Sequence, residues 1–164
     1  MAKRGSLKAD FMANESYNRA LKRAMSLCAG REICLSDIKQ KLNAWGVEDQ
    51  DKQKIINRLI EDKFIDDRRY ALAFVKDKFT YNNWGKIQLS AALRIKNIAV
   101  ESIREALDSI DEEIYRAALK SIITNHRKTL KSKSPYDLKG KLLRYGLSKG
   151  FESHLIYDLL NEDE

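Results

Sequence analysis

Proline occurs once and glycine seven times in 164 residues, too few turn residues for a many-stranded β protein. Cysteine occurs twice, as Cys28 and Cys34; they form no CxxC pair, and no further cysteine completes a zinc set. Cys28 falls on an apolar stripe with Leu21, Ala24 and Met25, which reads as a buried free thiol. His126 and His154 stand alone and read as structural or surface histidines. No run approaches the roughly 18 apolar residues of a membrane span. Lys3 and Arg4 are followed by no apolar stretch of a signal peptide, so the cytoplasm is the expected location. There is no GxxxxGK[ST] and no glycine-rich loop after a strand, so no nucleotide site and no cofactor are expected.

What is present is helical patterning. Hydrophobic residues make up 43% of the chain and charged residues 34%, enough for a core beneath highly charged exposed helix faces. Residues 1–14 lack strong periodicity and are expected to be a flexible segment. From Glu15, Tyr17, Leu21, Ala24, Met25 and Cys28 mark one face of a helix interrupted at Gly30. Ser36 is the expected cap of a second helix carrying Ile38 and Leu42. A third restarts at Asp49 with Ile55, Ile56, Leu59 and Ile60. Asp66 or Asp67 opens a fourth helix, reaching about Tyr81. Further helices carry Leu89 and Leu93; Ile103, Ala106 and Leu107; Ile114, Ala118, Leu119, Ile122 and Ile123; Leu138, Leu142 and Tyr145; and Leu155, Ile156, Leu159 and Leu160. Ser134-Pro135 reads as a cap followed by the first helical residue.

Two signals recur. Ile65-Asp66-Asp67-Arg68-Arg69-Tyr70 returns as Ile110-Asp111-Glu112-Glu113-Ile114-Tyr115. Leu42 to Val47, Leu93 to Ile98 and Gly146 to Phe151 resemble one another, with Gly46, Asn97 and Gly150 in register. Glycine and asparagine tolerate the left-handed conformation that ends a helix, so three helices are expected to stop there. Self-similarity at about 50 residues marks a repeat architecture. The expected fold is all-α: three tandem three-helix repeats, residues 15–65, 66–110 and 111–164, forming an elongated, curved array with an acidic C-terminal tail.

Charge is unevenly spread. The chain's net charge is +7, yet Arg116 to Lys149 alone holds ten Lys and Arg residues against one acid, Asp137. After Gly150 the chain holds several acids, among them Glu152, Asp158 and Glu162, and no Lys or Arg. Such segregation is an electrostatic footprint for a polyanion or an acidic protein face. Candidate contacts are Arg127, Lys128, Lys131, Lys133, Lys139, Lys141, Arg144 and Lys149, with Arg68, Arg69, Lys86, Arg94 and Lys96 on the middle unit. Tyr136 and Tyr145 could stack on bases, although Tyr145 also suits the core. Tyr70, Phe74, Trp84 and Tyr115 read as packing residues.

The pattern resembles the RecX family, the bacterial modulators of the RecA recombinase. The residues carrying the resemblance are Phe64-Ile65-Asp66-Asp67-x-x-Tyr70-Ala71-x-x-Phe74-Val75, then Trp84-Gly85-Lys86, Leu89, Leu93 and Lys96-Asn97-Ile98, and finally Lys149-Gly150-Phe151. The chain departs from the family pattern where Lys63 and Asn97 replace common glycines and Gly146 replaces an apolar residue. The resemblance implies a non-enzymatic regulator in DNA repair, recombination and the SOS response. Such a protein binds the RecA–DNA filament along its groove and reduces strand exchange and ATP hydrolysis. A monomer is expected, contacting DNA weakly or through the filament, with no membrane partner. The competing reading is a stand-alone helical DNA-binding module that does not act through RecA. A metal-dependent nuclease would have to use Asp66, Asp67, Asp111 and Glu112, which helix capping already explains.

Overall fold

The computed structural model describes residues 2–162, and every regular element among them is helical. The helices are α1 (Ala2–Gly30), α2 (Leu35–Ala44), α3 (Asp49–Glu61), α4 (Asp67–Asn82), α5 (Lys86–Ile95), α6 (Val100–Asp108), α7 (Glu112–Arg127), α8 (Pro135–Ser148) and α9 (Ser153–Glu162). By compactness the chain divides once, into Met1–Tyr70 and Ala71–Glu164.

In the first unit α3 packs on α1 and α2. Ala20, Ala24, Ile38, Leu42, Ile55, Ile56, Leu59 and Ile65 form its buried core. In the second unit α5 packs on α6, while α7, α8 and α9 contact one another pairwise. Ala71, Val75, Leu89, Leu93, Ile98, Ile103 and Ala106 are buried around α4–α6. Tyr115, Leu119, Ile122, Ile123, Leu142, Phe151, Leu155, Ile156 and Leu160 form the core of α7–α9.

The three expected stops are left-handed, with φ of 70° at Gly46, 57° at Asn97 and 87° at Gly150. Each is closed by the same pair of backbone bonds. Gly46 N–H donates to Asn43 O and Val47 N–H to Leu42 O, at 3.0 and 3.1 Å. Asn97 and Ile98 donate to Arg94 and Leu93 at 3.0 and 3.2 Å, and Gly150 and Phe151 to Leu147 and Gly146 at 2.9 and 3.2 Å. Orphan carbonyls are thereby satisfied, and the following apolar residue turns inward. Lys63 also adopts a left-handed φ, 59°, after α3.

Two expectations need correction. The first helix begins at Ala2 rather than at Glu15. Residues 6–29 contain no glycine or proline, and each residue added to a packed helix gains one backbone bond. Leu7, Phe11 and Met12 are nevertheless exposed on it. Ser36 does not cap α2; Cys34 holds the cap position and makes no side-chain cap bond. The carboxylate of Asp67 takes that role, accepting from Leu35 N–H at 2.8 Å.

Gly146 occupies the position of Leu42 and Leu93 in the other two motifs, and packing explains it. A Cβ there would sit 2.7 Å from Ile156 Cδ1 and 3.5 Å from Ile123 Cδ1, so side chains of α9 and α7 fill the space.

Candidate nucleic-acid and partner interface

The acidic residues of the recurring motif are structural. Asp66 Oδ1 accepts from Arg69 N–H at 3.1 Å and Asp111 Oδ1 from Ile114 N–H at 3.0 Å, the same N-cap geometry in two copies. Glu112 lies 3.4 Å from both Lys86 Nζ and Arg116 Nε. Among the described residues no group of three or more His, Cys, Asp or Glu could hold a metal ion.

Arg68, Arg69, Lys86, Arg94 and Lys96 differ in exposure and in their partners. Arg69 is a clamp: its guanidinium donates to Glu32 Oε1 at 2.6 Å and to the carbonyls of Lys63 and Phe64 at 3.0 and 3.4 Å. The Glu32 bond, despite some desolvation, raises the Arg69 pKa further. Lys86 is half-buried, its ammonium 4.7 Å from the centre of the Tyr115 ring. Arg68 is exposed in the first turn of α4. Arg94 is exposed near the end of α5 beside exposed Ile95, and Lys96 is half-buried just beyond it.

Tyr115 does more than pack. It is fully buried, its hydroxyl accepts from Lys86 N–H at 2.9 Å and it donates to Glu152 at 2.6 Å. Burial first, and the bond to Glu152 second, push its pKa far above the ordinary phenol value, so it is a permanent hydrogen-bond donor. The adjoining amides Gly85 N–H and Ile87 N–H donate to the Lys149 and Gly150 carbonyls at 2.7 and 2.9 Å. A Cβ at Gly85 would overlap the Gly150 carbonyl, so the α8–α9 turn meets the start of α5 backbone to backbone. Asp67 and Tyr115, each from the helix triple that follows in the chain, thus cap α2 and α5. No local pattern could have revealed this.

The remaining basic residues lie on α7, α8 and their connection. Lys128, Lys131 and Lys133 are exposed, and Arg127 is half-buried at the end of α7. The connection is folded onto α8. Lys141 Nζ donates to Lys131 O at 2.8 Å and lies 3.1 Å from Asp137, while Asp137 accepts from Lys133 N–H at 3.1 Å. The Lys133 amide first, then Lys141, holds the Asp137 pKa below the ordinary carboxylate value. Ser134 accepts from Asp137 N–H at 3.1 Å, completing the expected cap ahead of Pro135. Tyr145 stacks on His126 with ring centres 3.6 Å apart and planes within 9°, and Lys149 lies 5.9 Å from the Tyr145 ring centre. That stack engages one face of the Tyr145 ring inside the protein.

Lys139 and Arg144 line a cleft of about 450 Å³ with Tyr136, Asp137, Gly140, Leu143 and Tyr157. Tyr136 is 88% exposed and Tyr157 46%. Lys139 Nζ donates to the side-chain oxygen of Asn161 on α9 at 2.7 Å. Sequence patterning does not single out Tyr157; the available signal is an aromatic next to the buried Ile156 but off the inward stripe of α9.

By architecture this is an all-helical protein built on three-helix units, with a basic surface and clustered exposed tyrosines in the last of them. The family it resembles is that of the RecX regulatory proteins. Residues 66–107 match the family model described as "RecX, second three-helix domain". A Clostridium botulinum protein named "Regulatory protein RecX" is 34% identical over 129 residues, covering 76% of this chain and 59% of its own length. One of the same name from Prosthecochloris aestuarii is 28% identical over 92% of this chain and 97% of its own. The chain therefore belongs to the family of RecX regulatory proteins, and it spans about 59% of the length of the Clostridium relative. A crystal structure titled "regulatory protein RecX" superposes over 98% of this chain and 78% of its own with a TM-score of 0.85 at 21% identity, a likeness of fold.

Proposed function

We propose that the chain regulates a RecA-type recombinase by binding the RecA–DNA filament and lowering its strand exchange and ATP hydrolysis. The observation that carries this reading is the resemblance to regulatory proteins of the RecX name over nearly the whole chain. The exposed lysines between α7 and α8 support it, since a filament carries DNA and cations neutralising phosphates release counterions. In this reading the chain acts by binding rather than catalysis, as a cytoplasmic monomer without a cofactor. The helix triples within 15–65, 66–110 and 111–164 serve as successive contact modules.

The test is recombinase ATPase and strand exchange on single-stranded DNA with added protein. Inhibition at or below one protein per recombinase subunit is expected. If wild-type protein leaves both activities unchanged while still binding bare DNA, the stand-alone module is the correct reading.

A further inference from the structure

We infer that the cleft between α8 and α9 is a nucleobase-stacking site for single-stranded nucleic acid, with Tyr136 and Tyr157 offering ring faces and Arg144 and Lys139 the charge for the adjoining phosphate. It deepens the function proposed above and rests on the part of that reading that brings the chain to DNA.

Helix α8 carries two glycines, Gly140 and Gly146. Gly146 is explained by packing, because a Cβ there would strike Ile156. Gly140 has no such reason. A Cβ at Gly140 would meet only Arg144 Nη1, at 3.5 Å, an ordinary contact. Glycine inside a helix costs stability relative to alanine, and here it leaves bare backbone as the floor of an open cleft. Tyr136, Gly140 and Arg144 recur every four residues and so share one side of α8, placing a ring, a gap and a guanidinium in a row. Tyr157 of α9 lines the same space.

The chemistry of the walls selects the occupant. A volume of about 450 Å³ suits a small flat group. Exposed tyrosines stack on any base, whereas a bare polyanion would gain nothing from them. Asp137 does not oppose an anion strongly, because Lys141 and the Lys133 amide already hold its carboxylate. Bases within a duplex are stacked on one another and cannot enter, so the ligand must be single-stranded. The exposed Lys131 and Lys133, on a connection tied to the same end of α8, extend the positive surface for neighbouring phosphates.

The experiment measures binding of the full chain by fluorescence anisotropy at fixed salt. The probes are a labelled oligothymidylate, an abasic strand of equal length and a polyglutamate competitor. Oligothymidylate is expected to bind about tenfold more tightly than the abasic strand. Tyr136→Ala should remove most of that difference and leave abasic binding unchanged, while Tyr136→Trp retains it. Gly140→Leu fills the floor with a better helix former; it should abolish the preference without lowering the unfolding temperature. Equal affinity for the two strands, or a preference that survives Tyr136→Ala and Gly140→Leu in folded protein, overturns the inference. Displacement by polyglutamate as effective as by unlabelled oligothymidylate also overturns it, identifying an acidic peptide as the occupant. Recombinase inhibition by wild-type protein is scored separately, so equal affinity for the two strands with intact inhibition rejects this site alone.

Discussion

At the residue scale, Tyr115 shows how one side chain serves two ends of a structure. Its hydroxyl satisfies the first amide of α5 and ties down Glu152 at the start of α9. Removing that oxygen leaves the Lys86 amide and a carboxylate oxygen short of a partner while hardly changing the packing of the ring. Tyr115→Phe is therefore expected to destabilise the fold by about 1–3 kcal/mol, measured by denaturant unfolding, with the rings of Phe79 and Phe151 still packed against it. The recurring tyrosine was legible as a buried helix residue, because its spacing places it on the inward stripe. Its hydrogen bonds were not legible, since Lys86 and Glu152 are 29 and 37 positions away.

At the element scale, the helix ends are where local chemistry decided most. Asp111 supplies the N-cap of α7, and Asp111→Ala is expected to cost about 0.5–2 kcal/mol, visible as a lower unfolding temperature. Asp137 adds a pH dependence. Its pKa is lower folded than unfolded, so its stabilisation is complete above the ordinary carboxylate range and is lost as pH falls through the lowered value. The stability difference between wild type and Asp137→Asn should therefore shrink on acidification, in thermal melts taken from neutral pH downward. α2 is the exception among the ends. Ser36 is a sound cap by residue type, but Asp67, 32 positions from Leu35, fixes the start of the helix two residues earlier in the chain. α1 is the other, because twenty-odd residues without a breaker continue a helix past the point where its apolar stripe ends.

At the scale of the whole molecule, the thirteen candidate basic residues differ in what holds them. Arg69 and Lys86 are tied to Glu32 and Glu112, whereas Lys128, Lys131, Lys133 and Arg144 face solvent on one group of elements. Reversing Lys128, Lys131 and Lys133 to glutamate is expected to weaken recombinase inhibition and to flatten the salt dependence of DNA binding. The slope of log affinity against log salt should fall by about one for each phosphate that is no longer neutralised. An unchanged slope would show that these lysines only solubilise the surface. The sequence by itself determined that the chain is helical, that α2, α5 and α8 stop at Gly46, Asn97 and Gly150, and that aspartates open α4 and α7. Those features close through hydrogen bonds within four or five residues, so composition and spacing suffice to specify them. Only the tertiary structure decided which cations are held in ion pairs, what Tyr115 and Asp67 cap, and that Tyr136 and Tyr157 share a cleft. Each of those depends on two helices meeting, and no periodicity along a single helix encodes which side chain its neighbour will present.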